Sequence, residues 1–149
     1  MSSLYELYDE VMADHDKRPR NFRPMESPSG RAEGHNPVCG DNFVVYLSLD
    51  GDAIKDISFT GEGCRISKAA ASMMTQKLKG KSRAEAEALF GEFHRMVLGE
   101  LDEEATPNQL GHLKIFASVR NFPVRVKCAS LPWHTMHAAL HGQESTTTE

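Results

Sequence analysis

The chain reads as an α+β fold: a small antiparallel three-stranded sheet with about five helices packed against it. Two observations predict this. Extended segments are confined to the first part of the chain. There Phe43, Val45, Leu47 and Leu49 alternate with other residues, Asp50-Gly51 supplies a turn, and Ile54, Ile57 and Phe59 form a second run. From Ile66 onward the apolar residues recur at helical spacing between start and stop signals. Strands followed by helices suit helices layered on one sheet face.

The first helix is expected from about Leu4 to Asp14, with Ser3 and Glu6 as a capping box and Leu4, Leu7, Tyr8, Val11 and Met12 on one face. The Arg-, Pro-, Ser- and Gly-rich stretch from Asp16 to Gly34 reads as a long loop wrapping the body, and a third short strand fits Ala32 to Asn36. Ile66 to Leu78, closed by Gly80, is the second helix. Ser82 and Glu85 make a further capping-box pattern that opens a helix reaching Leu98. Gln109 to Val119 is a fourth helix, ended by Asn121-Phe122-Pro123. A fifth is expected from Ser130 to Gly142, with Pro132 in its first turn. Residues 1–142 form a single domain, and polar residues 143–149 read as a disordered tail.

Composition bounds the function. The 149 residues, 40% hydrophobic and 26% charged, suit one domain with a core large enough to fold without a disulfide or metal. A net charge of −4 with no basic stripe argues against nucleic acid as a partner. No apolar run approaches the ~20 residues of a membrane span. Met1 to Asp14 lacks the basic and apolar regions of a signal peptide, so a reducing, cytoplasmic setting is the expectation. Three cysteines cannot all pair. In such a setting they read as metal ligands, reactive thiols or small buried hydrophobes.

All three cysteines fall at predicted junctions. Cys39 precedes the first long strand, Cys64 lies between the second strand and the Ala-rich helix, and Cys128 precedes the last helix. A hairpin returns its end near its start, so Cys64 can approach Cys39; spacing alone does not bring Cys128 to them. Gly40 permits a tight path that lets Cys39 and Asp41 project toward one ion. A helix starting just after Cys64 would favour its thiolate. Three thiolates and a carboxylate make a tetrahedral set suited to zinc. Histidines 134, 137 and 141 fall on one side of a helix, read first as a polar face and second as metal ligands. His35 is a candidate proton-transfer group near Cys39, and Arg125 and Lys127 are candidate positive charges beside the site.

Three motifs carry a resemblance. Asn36-Pro-Val-Cys39-Gly-Asp41, Gly61-Glu-Gly-Cys64-Arg-Ile-Ser-Lys-Ala-Ala-Ala-Ser72 and Arg125-Val-Lys-Cys128-Ala-Ser-Leu131 occur in the order found in IscU-like iron–sulfur cluster assembly proteins. The chain resembles their SufU branch more closely, from Leu4 to about Leu140. Scaffold-type relatives carry a histidine before the third cysteine, where this chain has Lys127, and the segment from His112 to Arg125 is longer here. The resemblance implies zinc held by Cys39, Asp41, Cys64 and Cys128, with Cys39 accepting sulfur. It implies a SufS-type cysteine desulfurase as partner and iron–sulfur scaffold proteins downstream. The alternatives are a scaffold that assembles iron into a [2Fe–2S] cluster on the same cysteines, and a zinc-stabilised binding domain without sulfur chemistry.

Overall fold

The computed structural model describes residues 3–147, with side chains from residue 6 onward. Helix α1 spans Ser3–Lys17 and is followed by strands β1 (Gly30–Asn36), β2 (Asp41–Asp50) and β3 (Ala53–Glu62). Helices α2 (Arg65–Leu78) and α3 (Arg83–Val97), a 3-10 helix (Gly111–Val119), helix α4 (Pro123–Leu140) and strand β4 (Ser145–Thr147) complete the order. The capping box expected of Ser3 rests on a side chain outside the described residues. Among those residues no helix is long and apolar enough to cross a membrane.

The sheet runs β3-β2-β1-β4. The first three strands are antiparallel, as the alternation predicts, and β4 pairs with β1 in parallel. The sheet is therefore four-stranded and mixed rather than three-stranded and antiparallel. Its fourth strand comes from the stretch read as a polar tail. Ser145–Thr147 carry no apolar alternation to betray a strand, and the pairing rests on backbone hydrogen bonds such as Glu33 N–H to Glu144 O at 2.9 Å.

Alternation buries Phe43, Val45 and Leu47 of β2 and Ile57 and Phe59 of β3. Along β1, Ala32, Gly34 and Asn36 face inward. Helix α4 lies on β1 and β2 with α2 and α3 beside it. Gly34 permits this approach, since a Cβ there would sit 2.0 Å from Thr135 Oγ1. Trp133 of α4 stacks on Phe93 of α3 at 4.8 Å, and Phe116 of the 3-10 helix meets the Phe93 edge at 5.6 Å. Met73 and Met74 are core residues. Helix α1 runs a turn past its expected end and packs on α2, with buried His15 Nδ1 2.7 Å from Ser72 Oγ; Leu7, expected on the apolar face, is exposed.

The second capping box forms as predicted: Ser82 Oγ accepts from Glu85 N–H and a Glu85 carboxylate oxygen accepts from Ser82 N–H, both at 3.0 Å. Two helical expectations need correction. The segment after Gln109 is a 3-10 helix starting at Gly111, whose φ of +56° breaks an α-helix at that point. The last helix begins at Pro123, seven residues before Ser130. Pro123 takes the first helical position, where a missing N–H costs nothing. Pro132 is interior and cannot donate to the Cys128 carbonyl four residues back. Burial of α4 on most sides, from Cys128 through Pro132 and Trp133 to Leu140, offsets that loss.

Candidate metal centre

The β1–β2 hairpin tip builds the first half of the site. Asn36 pairs with Asp41 across the register, and the Gly40 N–H closes the turn onto Asn36 O at 2.8 Å. Gly40 takes φ +74°, a left-handed conformation that lets the chain reverse between Cys39 and Asp41. Cys39 is left exposed at the tip, while Asp41 opens β2 fully buried.

Strand β3 brings Cys64 back to this end, as the hairpin argument expects. Register pairing of Asn42 with Glu62 puts the Cys64 N–H 2.8 Å from Asp41 Oδ1 and the Cys64 Sγ 4.0 Å from Asp41 Oδ2. Cys64 is the N-cap of α2, and its sulfur accepts from the Ser67 N–H at 3.5 Å. Gly63 has no room for a side chain, because a Cβ would lie 2.6 Å from the Phe43 ring and from Ser67 Oγ.

Cys128 arrives from α4. It sits in the second turn of the helix, not in a loop before it, because α4 starts at Pro123. Its buried Sγ lies 3.3 Å from the Cys39 sulfur. Cys39, Asp41 and Cys128 offer ligand atoms within 4.8 Å of one another, and Cys64 stands beside this triad through Asp41. Ligand atoms around a tetrahedral zinc with Zn–S of about 2.3 Å lie roughly 3.5–3.8 Å apart. The 3.3 Å spacing of the Cys39 and Cys128 sulfurs is close to that value, and Cys39, Asp41 and Cys128 form the compact group; Cys64 stands at its edge, 4.0 Å from Asp41 Oδ2.

The thiols differ electrostatically. A hydrogen bond from Cys128 is the first cause that lowers the Cys64 pKa to about 6; Ser67 adds to it, while burial and the Asp41 charge oppose it. The Cys128 thiol is pushed far up by its hydrogen bond to Cys64 and by burial, with Cys39 and Asp41 adding to the effect. The cluster thus separates one readily ionised thiol from one that holds its proton.

Sequence reasoning overlooked Asn36. It is fully buried, and its Nδ2 donates to Asp41 Oδ2 at 3.2 Å and toward Cys128 Sγ at 3.7 Å. The signal available was its place three residues before Cys39, in the motif itself. His35 projects off the opposite face of β1 and bonds the Asn42 side chain. Arg125 lies over the Phe122 ring at 4.5 Å and lines a cavity of about 360 Å³ with Tyr8, Asp9, Cys64 and Arg65. His134, His137 and His141 are outside the thiol cluster and pack against α3.

A mixed sheet covered by helices, with three thiols and a carboxylate gathered at one end, defines an α+β thiol-cluster protein. The family described as the NifU-like N terminal domain matches residues 7–144, and the chain belongs to it. Among relatives, the iron–sulfur cluster assembly scaffold protein IscU of Streptococcus pyogenes serotype M1 is 40% identical over 94% of this chain and 86% of its own. The zinc-dependent sulfurtransferase SufU of Bacillus subtilis (strain 168) is 38% identical over 96% of this chain and 95% of its own. A crystal structure from Fervidobacterium islandicum AW-1, assigned as an iron–sulfur cluster assembly scaffold protein for the SUF system, superposes with a TM-score of 0.82 at 36% identity. It covers 91% of this chain and 98% of that one. The resemblance to IscU-like proteins with a SufU-type member thus holds over nearly the whole chain.

Proposed function

We propose that this chain serves iron–sulfur cluster assembly as a zinc-dependent sulfurtransferase, taking persulfide sulfur from a SufS-type cysteine desulfurase onto Cys39 in the cytoplasm. The observation that carries this reading is the difference in access among three neighbouring thiols. Cys39 is exposed at the hairpin tip, Cys64 is half-buried, and Cys128 is buried. Of the three, Cys39 is the sulfur most open to another protein's cysteine.

The Cys39 thiolate attacks the outer sulfur of the partner's cysteine persulfide. The partner's sulfur–sulfur bond breaks, its cysteine leaves as thiolate, and a persulfide forms on Cys39 with no net oxidation. Cys39, Asp41, Cys64 and Cys128 would hold zinc, which when bound keeps thiols deprotonated and restrained. Asn36 steadies the Asp41 carboxylate, and Asp41 fixes the start of α2 through the Cys64 N–H. Val38, Phe122 and Val124 are exposed apolar residues on the segments that carry Cys39 and Cys128, and they suit a docked partner. The persulfide sulfur then passes to iron–sulfur scaffold proteins downstream.

The Bacillus subtilis relative supports this reading by its name, and Lys127 supports it by standing where the resemblance implies a histidine in scaffold-type members. The Streptococcus pyogenes relative favours a second reading, a scaffold that builds a [2Fe–2S] cluster on the same residues. The deciding experiment measures sulfide released from cysteine by a SufS-type desulfurase, with and without the zinc-loaded chain. Activation that Cys39→Ser abolishes supports sulfur transfer. Absent activation, with cluster absorption after anaerobic reconstitution, moves the function to the scaffold.

A further inference from the structure

A second group of metal-ligating side chains lies between α3 and α4. His137 in the last turn of α4 and His141 at its C-cap are four residues apart, so both imidazoles lie on one side of the helix end. Across from them, the Glu87 carboxylate of α3 reaches both: Oε2 is 3.3 Å from His137 Nε2, and Oε1 is 3.2 Å from His141 Nε2. One ligand atom from each residue lies within 4.8 Å of the others.

We propose that Glu87, His137 and His141 form a second metal site for a borderline divalent ion such as Zn²⁺ or Ni²⁺. Three observations converge. The two nitrogen–oxygen separations lie at and beyond the long end of ordinary hydrogen bonds. They involve different Glu87 oxygens. For the one oxygen that binds, its separation is near the roughly 3.3–3.4 Å edge of a tetrahedron with Zn–N and Zn–O bonds of about 2.0–2.2 Å, while all three ligand atoms lie within 4.8 Å of one another. Phe90 lies over the His137 ring, 4.7 Å between centroids and 23° from parallel, so this imidazole is turned toward Glu87 before any ion arrives. The side chains of Glu87, His137 and His141 are 38%, 35% and 47% exposed, which leaves an open coordination position for water.

Two imidazoles and a carboxylate suit zinc, nickel or copper better than magnesium or calcium. The site is harder than the thiol cluster, and the 13 residues from Cys128 to His141 put it roughly 20 Å away along the helix. His141 caps the end of α4 just before β4, so a bound ion clamps α3 to that end of the helix.

The test titrates untagged protein, loaded with one equivalent of Zn²⁺, with NiCl₂. Calorimetry counts sites, and NMR of the histidine side chains locates them. One Ni²⁺ per chain is expected, broadening His137 and His141 without thiolate–nickel absorption. Glu87→Gln and His141→Asn should each weaken binding tenfold or more with circular dichroism unchanged, and His137→Asn/His141→Asn should abolish it. The proposal is overturned if wild type takes up no nickel beyond its zinc, if nickel enters the thiol cluster instead, or if the double variant binds as tightly as wild type.

Discussion

The sulfurs of Cys39 and Cys128 lie 3.3 Å apart although 89 residues separate them in the chain. One sits on an exposed hairpin tip and the other inside a helix buried against the sheet. Their substitutions should therefore fail differently. Cys39→Ser should abolish desulfurase activation and change the melting temperature little. Cys128→Ser should lower metal content and stability together, because it alters a buried position packed against Asn36 and the other thiols. Metal analysis beside thermal melting separates the two, and equal loss of stability in both would contradict the assignment.

Asn36→Ala removes the donor to a fully buried carboxylate. Asp41 Oδ2 then keeps only the long 4.0 Å contact to the Cys64 sulfur. Losing a buried hydrogen bond to a charged group costs about 1–3 kcal/mol, so the metal-free variant should unfold at lower urea concentration. Zinc affinity should fall as well, since Asp41 and Cys128 lose their common hydrogen-bonding partner.

Gly61→Ala meets a backbone obstacle. Its Cβ would lie 2.2 Å from the Asn42 carbonyl oxygen, at a φ of +132°. Strain and overpacking together should cost about 2–4 kcal/mol, seen as a shifted denaturation midpoint. Zinc binding should weaken too, because this stretch of β3 delivers Cys64 to Asp41.

His134 gives a pH dependence. Its pKa is lowered to about 4, first by burial and then by the nearby His94 and His137 charges. The unfolded chain, with a histidine pKa near 6.5, then binds more protons than the native state between about pH 4 and 6.5. Stability is full above that window and falls as pH drops through it, by about 1–2 kcal/mol once the partial exposure of the ring is counted. His134→Phe should flatten this part of the stability profile measured by urea denaturation.

Chelation of the metal should leave the chain folded. The core runs from Phe43 and Phe59 through Trp133, Phe93 and Phe116, independent of the thiol cluster. Far-UV circular dichroism should persist, and thermal stability should drop by up to about 4 kcal/mol if free zinc stood near a thousand times its dissociation constant. Unfolding on chelation would favour the zinc-stabilised binding domain instead.

Local signals carried much of this molecule. Strand alternation from Phe43 to Phe59, the Ser82–Glu85 capping box and the Gly-Glu-Gly-Cys64 junction each concern neighbouring residues, and each forms as read. The hairpin logic returned the end of β3 to the start of β2 for the same reason, a short turn leaving the chain little choice of partner, although the residue that Cys64 meets there is Asp41 rather than the expected Cys39. The start of α4, the 3-10 character of Gly111–Val119 and the β4 strand were not legible. Pro132 invites a helix start that Pro123 takes instead, and only burial of α4 against sheet and helices outweighs its interior proline. Cys128 was a candidate from its residue type, its place near a predicted helix start and the motif that carries the resemblance. Its meeting with Cys39 and Asn36, like the pairing of Glu87 with His137 and His141, depends on where α4 settles on β1 and α3. Helix-on-sheet and helix-on-helix contacts join residues far apart in the chain, and the packing that selects them is spread over many side chains, so no short pattern encodes them.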